Sequence, residues 1–184
     1  KIYEKYLKEK KEKNLNIIEL GSFYGNASAA FYFYFKNSQI YSADINPDMY
    51  LYRSKRLKNF FTDTSSRASI ESNILTRNTK FDLIIEDASH MLKDQIISLF
   101  ILFKNLNSGG IFIVEEIDFP EKREDMRDGQ EFPDLKTILK KIINKENFNF
   151  KYINEHEKNY FLENFDTIKF YTGNVNEIAI IKKK

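Results

Sequence analysis

Cysteine is absent from the 184-residue chain, which removes disulfides, thiolate metal sites and cysteine nucleophiles together. Tryptophan is absent as well, and histidine occurs only as His90 and His156. Imidazole chemistry is confined to those two side chains, so carboxylates are the expected ligands of any metal. No run of about 18 apolar residues occurs, so no transmembrane helix is expected. The opening Lys-Ile-Tyr-Glu-Lys-Tyr-Leu has no apolar signal core, and the missing initiator Met is what a chain trimmed upstream would show. Charge of one sign is not in excess. Lys and Arg number 29 against 27 Asp and Glu, a net +2, which makes no electrostatic case for nucleic acid or an anionic membrane as partner. These absences predict a cytoplasmic soluble protein. Its assembly state is left open, a homo-oligomer included.

What is present is ordinary for one globular unit: 42% hydrophobic and 30% charged residues. The length predicts a single domain over 1–184. Helix-like and strand-like segments alternate. A charged leading helix is expected over 2–13 and strands over Asn16–Leu20 and Gln39–Asp44. The aromatic cluster Phe31-Tyr32-Phe33-Tyr34-Phe35 falls in a predicted helix at 27–36, where packing on both faces is the expected state. Asn46-Pro47 marks a turn, with a helix expected over 48–57, a strand near 59–62 and a helix near 67–76. Phe81–Ile85 reads as a buried strand. Leu92–Leu106 carries Ile96, Leu99, Phe100, Phe103 and Leu106 on one face, ended by Ser108-Gly109-Gly110, and Ile111–Val114 is the next strand.

Residues 117–133 hold two of the three prolines and read as a long loop over the active site. A helix near 134–146 precedes two strands, Thr167–Thr172 and Glu177–Lys183, joined through Gly173-Asn174. The expected fold is α/β and Rossmann-like: a seven-stranded, mostly parallel sheet with an antiparallel C-terminal hairpin and helices on both faces.

Ligands of open α/β sheets bind beyond the carboxyl ends of the strands. The first such end reads Glu19-Leu20-Gly21-Ser22-Phe23-Tyr24-Gly25-Asn26-Ala27-Ser28. Gly21 and Gly25 permit a tight turn and close backbone approach. Their Gly-x-x-x-Gly spacing lacks the middle glycine that seats a dinucleotide pyrophosphate, so it favours a nucleoside ligand without one. Glu19 could accept hydrogen bonds from loop amides or a bound amino group. Asp44 closes the second strand, where a carboxylate can accept hydrogen bonds from vicinal ribose hydroxyls.

This pattern resembles the class I S-adenosylmethionine-dependent methyltransferases. The resemblance implies that S-adenosylmethionine is the cofactor. It makes Glu19, Gly21, Ser22, Gly25, Ser28 and Asp44 cofactor contacts, with Asp63 beside the adenine unless it merely caps a helix.

The fourth strand ends in Glu86-Asp87-Ala88-Ser89-His90 and the fifth in Val114-Glu115-Glu116. Parallel neighbours share direction, so both tips should meet at one sheet edge and bring Asp87, Glu115 and Glu116 together. Clustered carboxylates raise one another's pKa unless a cation compensates, and hard oxygen donors favour Mg²⁺, Ca²⁺ or Mn²⁺. His90, three residues after Asp87, is placed to take a proton from an activated hydroxyl.

This constellation, with Ser108-Gly109-Gly110 before the fifth strand, resembles the macrocin O-methyltransferase group, some of whose members are called cephalosporin hydroxylases. Glu86, Ala88, Ser108 and Glu116 depart from the group's usual Asp, Gly, Pro and Asp. The resemblance implies Mg²⁺ held by Asp87, Glu115 and Glu116, with His90 as catalytic base. It gives Asp87 roles toward catalysis and cofactor as well, and a sugar-like hydroxyl as the small-molecule acceptor.

Two other classes compete. A nucleotide-binding oxidoreductase or epimerase would need the missing glycine and a Tyr-x-x-x-Lys pair. A non-catalytic cofactor-binding module would have no use for Asp87, His90 and Glu115.

Overall fold

Strands β1 (Asn16–Leu20), β2 (Gln39–Asp44), β3 (Leu57–Phe61), β4 (Phe81–Glu86) and β5 (Leu106–Val114) run parallel. Beyond them β7 (Glu177–Lys183) lies antiparallel between β5 and β6 (Phe165–Thr172). The sheet order is β3-β2-β1-β4-β5-β7-β6. These elements come from a computed structural model that describes residues 2–127, 133–149 and 151–184. The helices are α1 (Ile2–Leu7), α2 (Asn26–Tyr34), α3 (Arg67–Asn73), α4 (Leu92–Leu102), α5 (Phe119–Lys122), α6 (Leu135–Ile143) and α7 (Glu155–Asn164). No helix among the described residues is long and apolar enough to cross a membrane.

The two-residue period of a strand sorts the side chains between two cores. Ile17, Leu83, Ile85, Ile111 and Ile113 face α1 and α2, where Leu7 and Phe35 complete a smaller core. Ile18, Leu20, Ile84, Phe112 and Val114 face α3, α4, α6 and α7 in the larger one. Strands buried on both faces read as nearly unbroken apolar runs. For that reason β1 and β2 occupy the limits expected from sequence.

Elsewhere packing overrides local pattern. No α-helix spans 48–57. A 3₁₀ turn at Pro47–Met49 gives way to an irregular segment and then β3. The buried Tyr50 is held by the Ser42 hydroxyl at 3.0 Å, and the Leu51 amide donates to the Tyr24 carbonyl at 3.1 Å. Ser108-Gly109-Gly110 does not end a helix. It lies inside β5, where the register moves from Phe81↔Leu106 to Leu83↔Ile111, so five steps of β5 span two of β4. Gly109 absorbs this bulge at φ 70°. The helix expected through Leu106 ends at Leu102, followed by a 3₁₀ turn.

The segment expected as a loop contains α5 and a 3₁₀ turn at Glu124–Arg127, and residues 128–132 lie outside the described ones. Helix α7 was not expected, although its capping box, Asn154 with Glu157, is a sequence signal. Helix α2 is not packed on both faces: Phe33 is 74% exposed.

Candidate active site

The tip of β1 is wedged between its neighbours. The Gly21 amide donates to the Ala43 carbonyl at 2.8 Å, and the Asp87 amide donates to the Leu20 carbonyl at 3.0 Å. Gly21 has φ 82°, and a Cβ there would collide with the backbone of Asp87 and Ala88. Gly25 has φ 83° where α2 begins, and a Cβ would strike the Tyr50 ring. Both glycines are thus required by conformation and by space.

Glu19 is 2% exposed and accepts a hydrogen bond from the Ser28 hydroxyl. Burial pushes its carboxyl up to about 7, with the Ser28 bonds opposing. Ser28 is itself fully buried and lies 2.7 Å from the Ser42 hydroxyl, so it stands behind Glu19. Ser22 is buried, and its hydroxyl has no partner among the described residues.

Asp44 accepts the Phe23 amide on Oδ2 at 2.7 Å and the Asn46 amide on Oδ1 at 2.8 Å. Each carboxylate oxygen has a second lone pair, so the side chain is fixed by the backbone yet able to accept more. Asp63 accepts the Ser65 amide at 2.9 Å and the Ser65 hydroxyl at 2.6 Å. Ser66, not Asp63, caps α3. Asp44, Asp63, Gly21 and the Asp87-Ala88-Ser89 turn line one cavity of about 420 Å³.

The β4 and β5 tips come together as the parallel register dictates. The Glu115 amide donates to the Glu86 carbonyl at 2.9 Å, and strand alternation sets Asp87 and Glu115 on the face that holds Glu19. Burial, then Glu115, Glu19 and Glu116, pushes Asp87 up to about 7. Glu115 is also raised by burial, and it accepts the Tyr3 hydroxyl from α1. Glu86 is wholly buried, and burial, then Asp87, pushes its carboxyl up to about 8, with the Ala88 amide opposing.

His90 Nε2 lies 2.9 Å from Glu116 Oε2 and 4.0 Å from Asp87 Oδ1. Its Nδ1 is buried without a partner, and Phe119 packs edge-on at 5.4 Å. Burial lowers the His90 pKa and Glu116 opposes that. The expected trio is therefore at one edge but divided: Tyr3 engages Glu115 and His90 engages Glu116. Among the described residues no three such side chains are arranged to share a cation as they stand.

A second cavity, of about 560 Å³, opens on the other side of Asp87, with Glu19, Asp87 and Glu115 among its lining. Its walls come from α1 and α2, including Tyr3, Leu7, Phe31 and Tyr34.

Sequence reasoning missed Tyr3 as a partner of Glu115. It also missed Asp94, a buried residue of the first cavity that accepts the Ser89 hydroxyl at 2.6 Å. No spacing rule connects Tyr3 to Glu115, whereas Asp94 sits in the first turn of α4, where carboxylates are favoured.

A glycine turn after β1, an acid closing β2 and strand order 3-2-1-4-5-7-6 define a class I, Rossmann-like S-adenosylmethionine-dependent methyltransferase fold. The chain belongs to the methyltransferase domain family, which it matches over residues 11–166. Its curated relatives include the 8-demethyl-8-alpha-L-rhamnosyl tetracenomycin-C 2'-O-methyltransferase of Streptomyces olivaceus, 25% identical over 122 residues. That match covers 62% of this chain and 32% of the relative.

Among solved structures, the methyltransferase MycE of the mycinamycin biosynthetic pathway, in complex with Mg and SAH, aligns with TM-score 0.78 at 20% identity. The alignment covers 99% of this chain and 48% of MycE. MycE has also been solved with Mg, SAH and mycinamycin VI. A proposed caffeoyl-CoA O-methyltransferase of Staphylococcus aureus aligns with TM-score 0.62 at 14% identity, over 100% of this chain and 81% of its own. At these identities the structural likeness is one of fold. The chain spans about a third of the curated relative and about half of MycE.

Proposed function

We propose that this chain transfers the methyl group of S-adenosylmethionine to a hydroxyl of a small glycosylated compound, assisted by Mg²⁺ or another divalent cation, in the cytoplasm. The observation that carries the reading is a convergence at one sheet edge: the Gly21 turn and Asp44 beside the His90, Asp87 and Glu116 cluster, with Asp87 lining both cavities. The relatives support it. One is by name a sugar 2'-O-methyltransferase, and MycE was solved with Mg and a mycinamycin.

Asp44, preset by two backbone amides, accepts the ribose hydroxyls, and the Gly21 turn lets the cofactor approach the backbone. Asp87, Glu115 and Glu116 are hard oxygen donors, and burial, then the neighbouring carboxylates, lifts Asp87, as in a site that a cation would relieve. When bound, the cation lowers the pKa of an acceptor hydroxyl. Burial favours the neutral form of His90, whose Nε2 donates to Glu116 as the side chains stand; with Glu116 turned away from it, Nε2 is the nitrogen placed at this edge to receive the hydroxyl proton. Alignment of hydroxyl and methyl donor is then the main contribution of the protein.

Isothermal titration with S-adenosylhomocysteine tests the cofactor half, and no binding with or without Mg²⁺ overturns it. Turnover abolished by EDTA and restored by Mg²⁺ tests the cation.

A further inference from the structure

The 560 Å³ cavity differs in character from the one that holds Asp44 and Asp63. Its walls are apolar and aromatic: Tyr3, Leu7, Phe31, Tyr34 and Phe35, with Ile85 beneath. Its floor is Glu19, Asp87 and Glu115, Glu4 stands on the α1 side, and among the described residues no Lys or Arg lines it. A sugar lying against Phe31 and Phe35 would bury hydroxyls without partners, which is unfavourable. Glu19 could take the ammonium of the cofactor's amino-acid end, but the carboxylate of that end would meet four acidic side chains, Glu4, Glu19, Asp87 and Glu115, with no cation among the described lining residues. A flat apolar ring suits the walls, and a hydroxyl, which can both donate and accept, suits a floor of carboxyl groups. Ala27 and Ala30, three residues apart on α2, leave the slot open between Phe31 and Tyr34. The volume is that of a small-molecule site.

We infer that this chamber binds the acceptor by an aromatic ring attached to its hydroxyl-bearing unit, directing the hydroxyl to Asp87 and Glu115. The inference rests on the proposed O-methyl transfer and adds the chemical class of acceptor. Because Asp87 lines both cavities, a ring seated between α1 and α2 brings its hydroxyl to the edge where the nucleoside pocket begins.

The test is calorimetric titration of the full chain, with S-adenosylhomocysteine and Mg²⁺ present, using phenyl β-D-glucopyranoside and methyl β-D-glucopyranoside. Burial of a phenyl ring predicts that the phenyl glycoside binds at least about tenfold tighter. Ala30→Phe fills the slot and should erase that advantage while leaving S-adenosylhomocysteine affinity within about twofold. Ala27→Phe is the second variant, and both positions are exposed enough to take the larger ring.

Equal affinities for the two glycosides, or no binding of either, overturn the inference while leaving the proposed function standing. Loss of S-adenosylhomocysteine binding in both variants assigns the chamber to the cofactor and overturns it as well. Failure of the unsubstituted chain to bind S-adenosylhomocysteine overturns the proposed function, and the inference with it.

Discussion

His90 and Glu116 approach to 2.9 Å, Nε2 to Oε2, and both hold left-handed backbone, at φ 58° and φ 49°. Non-glycine residues seldom adopt that conformation, which costs of the order of 1–3 kcal/mol and persists where surrounding structure enforces it. His90 follows the end of β4 by four residues and Glu116 follows the end of β5 by two, and the two side chains meet with His90 Nε2 4.0 Å from Asp87.

Replacing His90 by Ala should cut turnover by roughly 10²–10⁴-fold, the usual contribution of a positioned general base. S-adenosylhomocysteine affinity should stay within about twofold, since Gly21 and Asp44 are untouched. Steady-state kinetics beside calorimetry separates the two effects. Equal losses in both would make His90 a structural residue.

Gly21→Ala should be severe. The new methyl collides with the backbone of Asp87 and Ala88, and φ 82° strains any L side chain. A loss of about 2 kcal/mol or more in urea unfolding is expected, together with loss of S-adenosylhomocysteine binding. A variant that keeps both would show that the turn relaxes freely.

Tyr3→Phe removes the hydroxyl that Glu115 accepts. Partners of a ligating carboxylate typically contribute 10–100-fold in metal affinity or activity. The Mg²⁺ concentration for half-maximal turnover should therefore change by roughly tenfold, with S-adenosylhomocysteine affinity retained. An unchanged Mg²⁺ dependence would confine Tyr3 to packing.

Far from the site, Arg67 on α3 holds Glu157 on α7 through two hydrogen bonds, at 2.6 and 3.0 Å, and donates to the Tyr152 carbonyl at 2.8 Å. Burial alone would raise the Glu157 pKa, but Arg67 and the Asn154 amide outweigh it and hold the group below its ordinary value. A depressed carboxyl pKa stabilises the fold above the unfolded value of about 4.3 and loses that contribution as pH falls through the folded value. Glu157→Gln should cost roughly 1–2 kcal/mol at pH 7, a figure reduced for the part-exposed Arg67. The difference from the parent should shrink only below about pH 4. Denaturation at pH 7 and pH 3 checks the sign.

Much of this was legible in the sequence. Asn16–Leu20 and Gln39–Asp44 are apolar runs buried on both faces, so pattern and packing agree, and the Gly21 turn and Asp44 follow directly from where those strands stop. The 48–57 segment misled because Tyr50 is drawn beneath Gly25 by a contact outside its own helical window. Ser108-Gly109-Gly110 misled because glycine serves a bulge as readily as a helix end, and only the β4 register distinguishes them.

The sequence by itself determined the succession of the seven strands, the glycine turn and the acids and histidine beyond the strand tips, because these depend on local periodicity and on parallel strands sharing an edge. Only the tertiary structure decided that Tyr3 meets Glu115, 112 positions along the chain, that His90 faces Glu116, and that α1 and α2 enclose an apolar chamber over an acidic floor. Those relationships depend on where elements dock and how backbones twist at φ 58° and φ 49°, which no spacing of residues along the chain specifies.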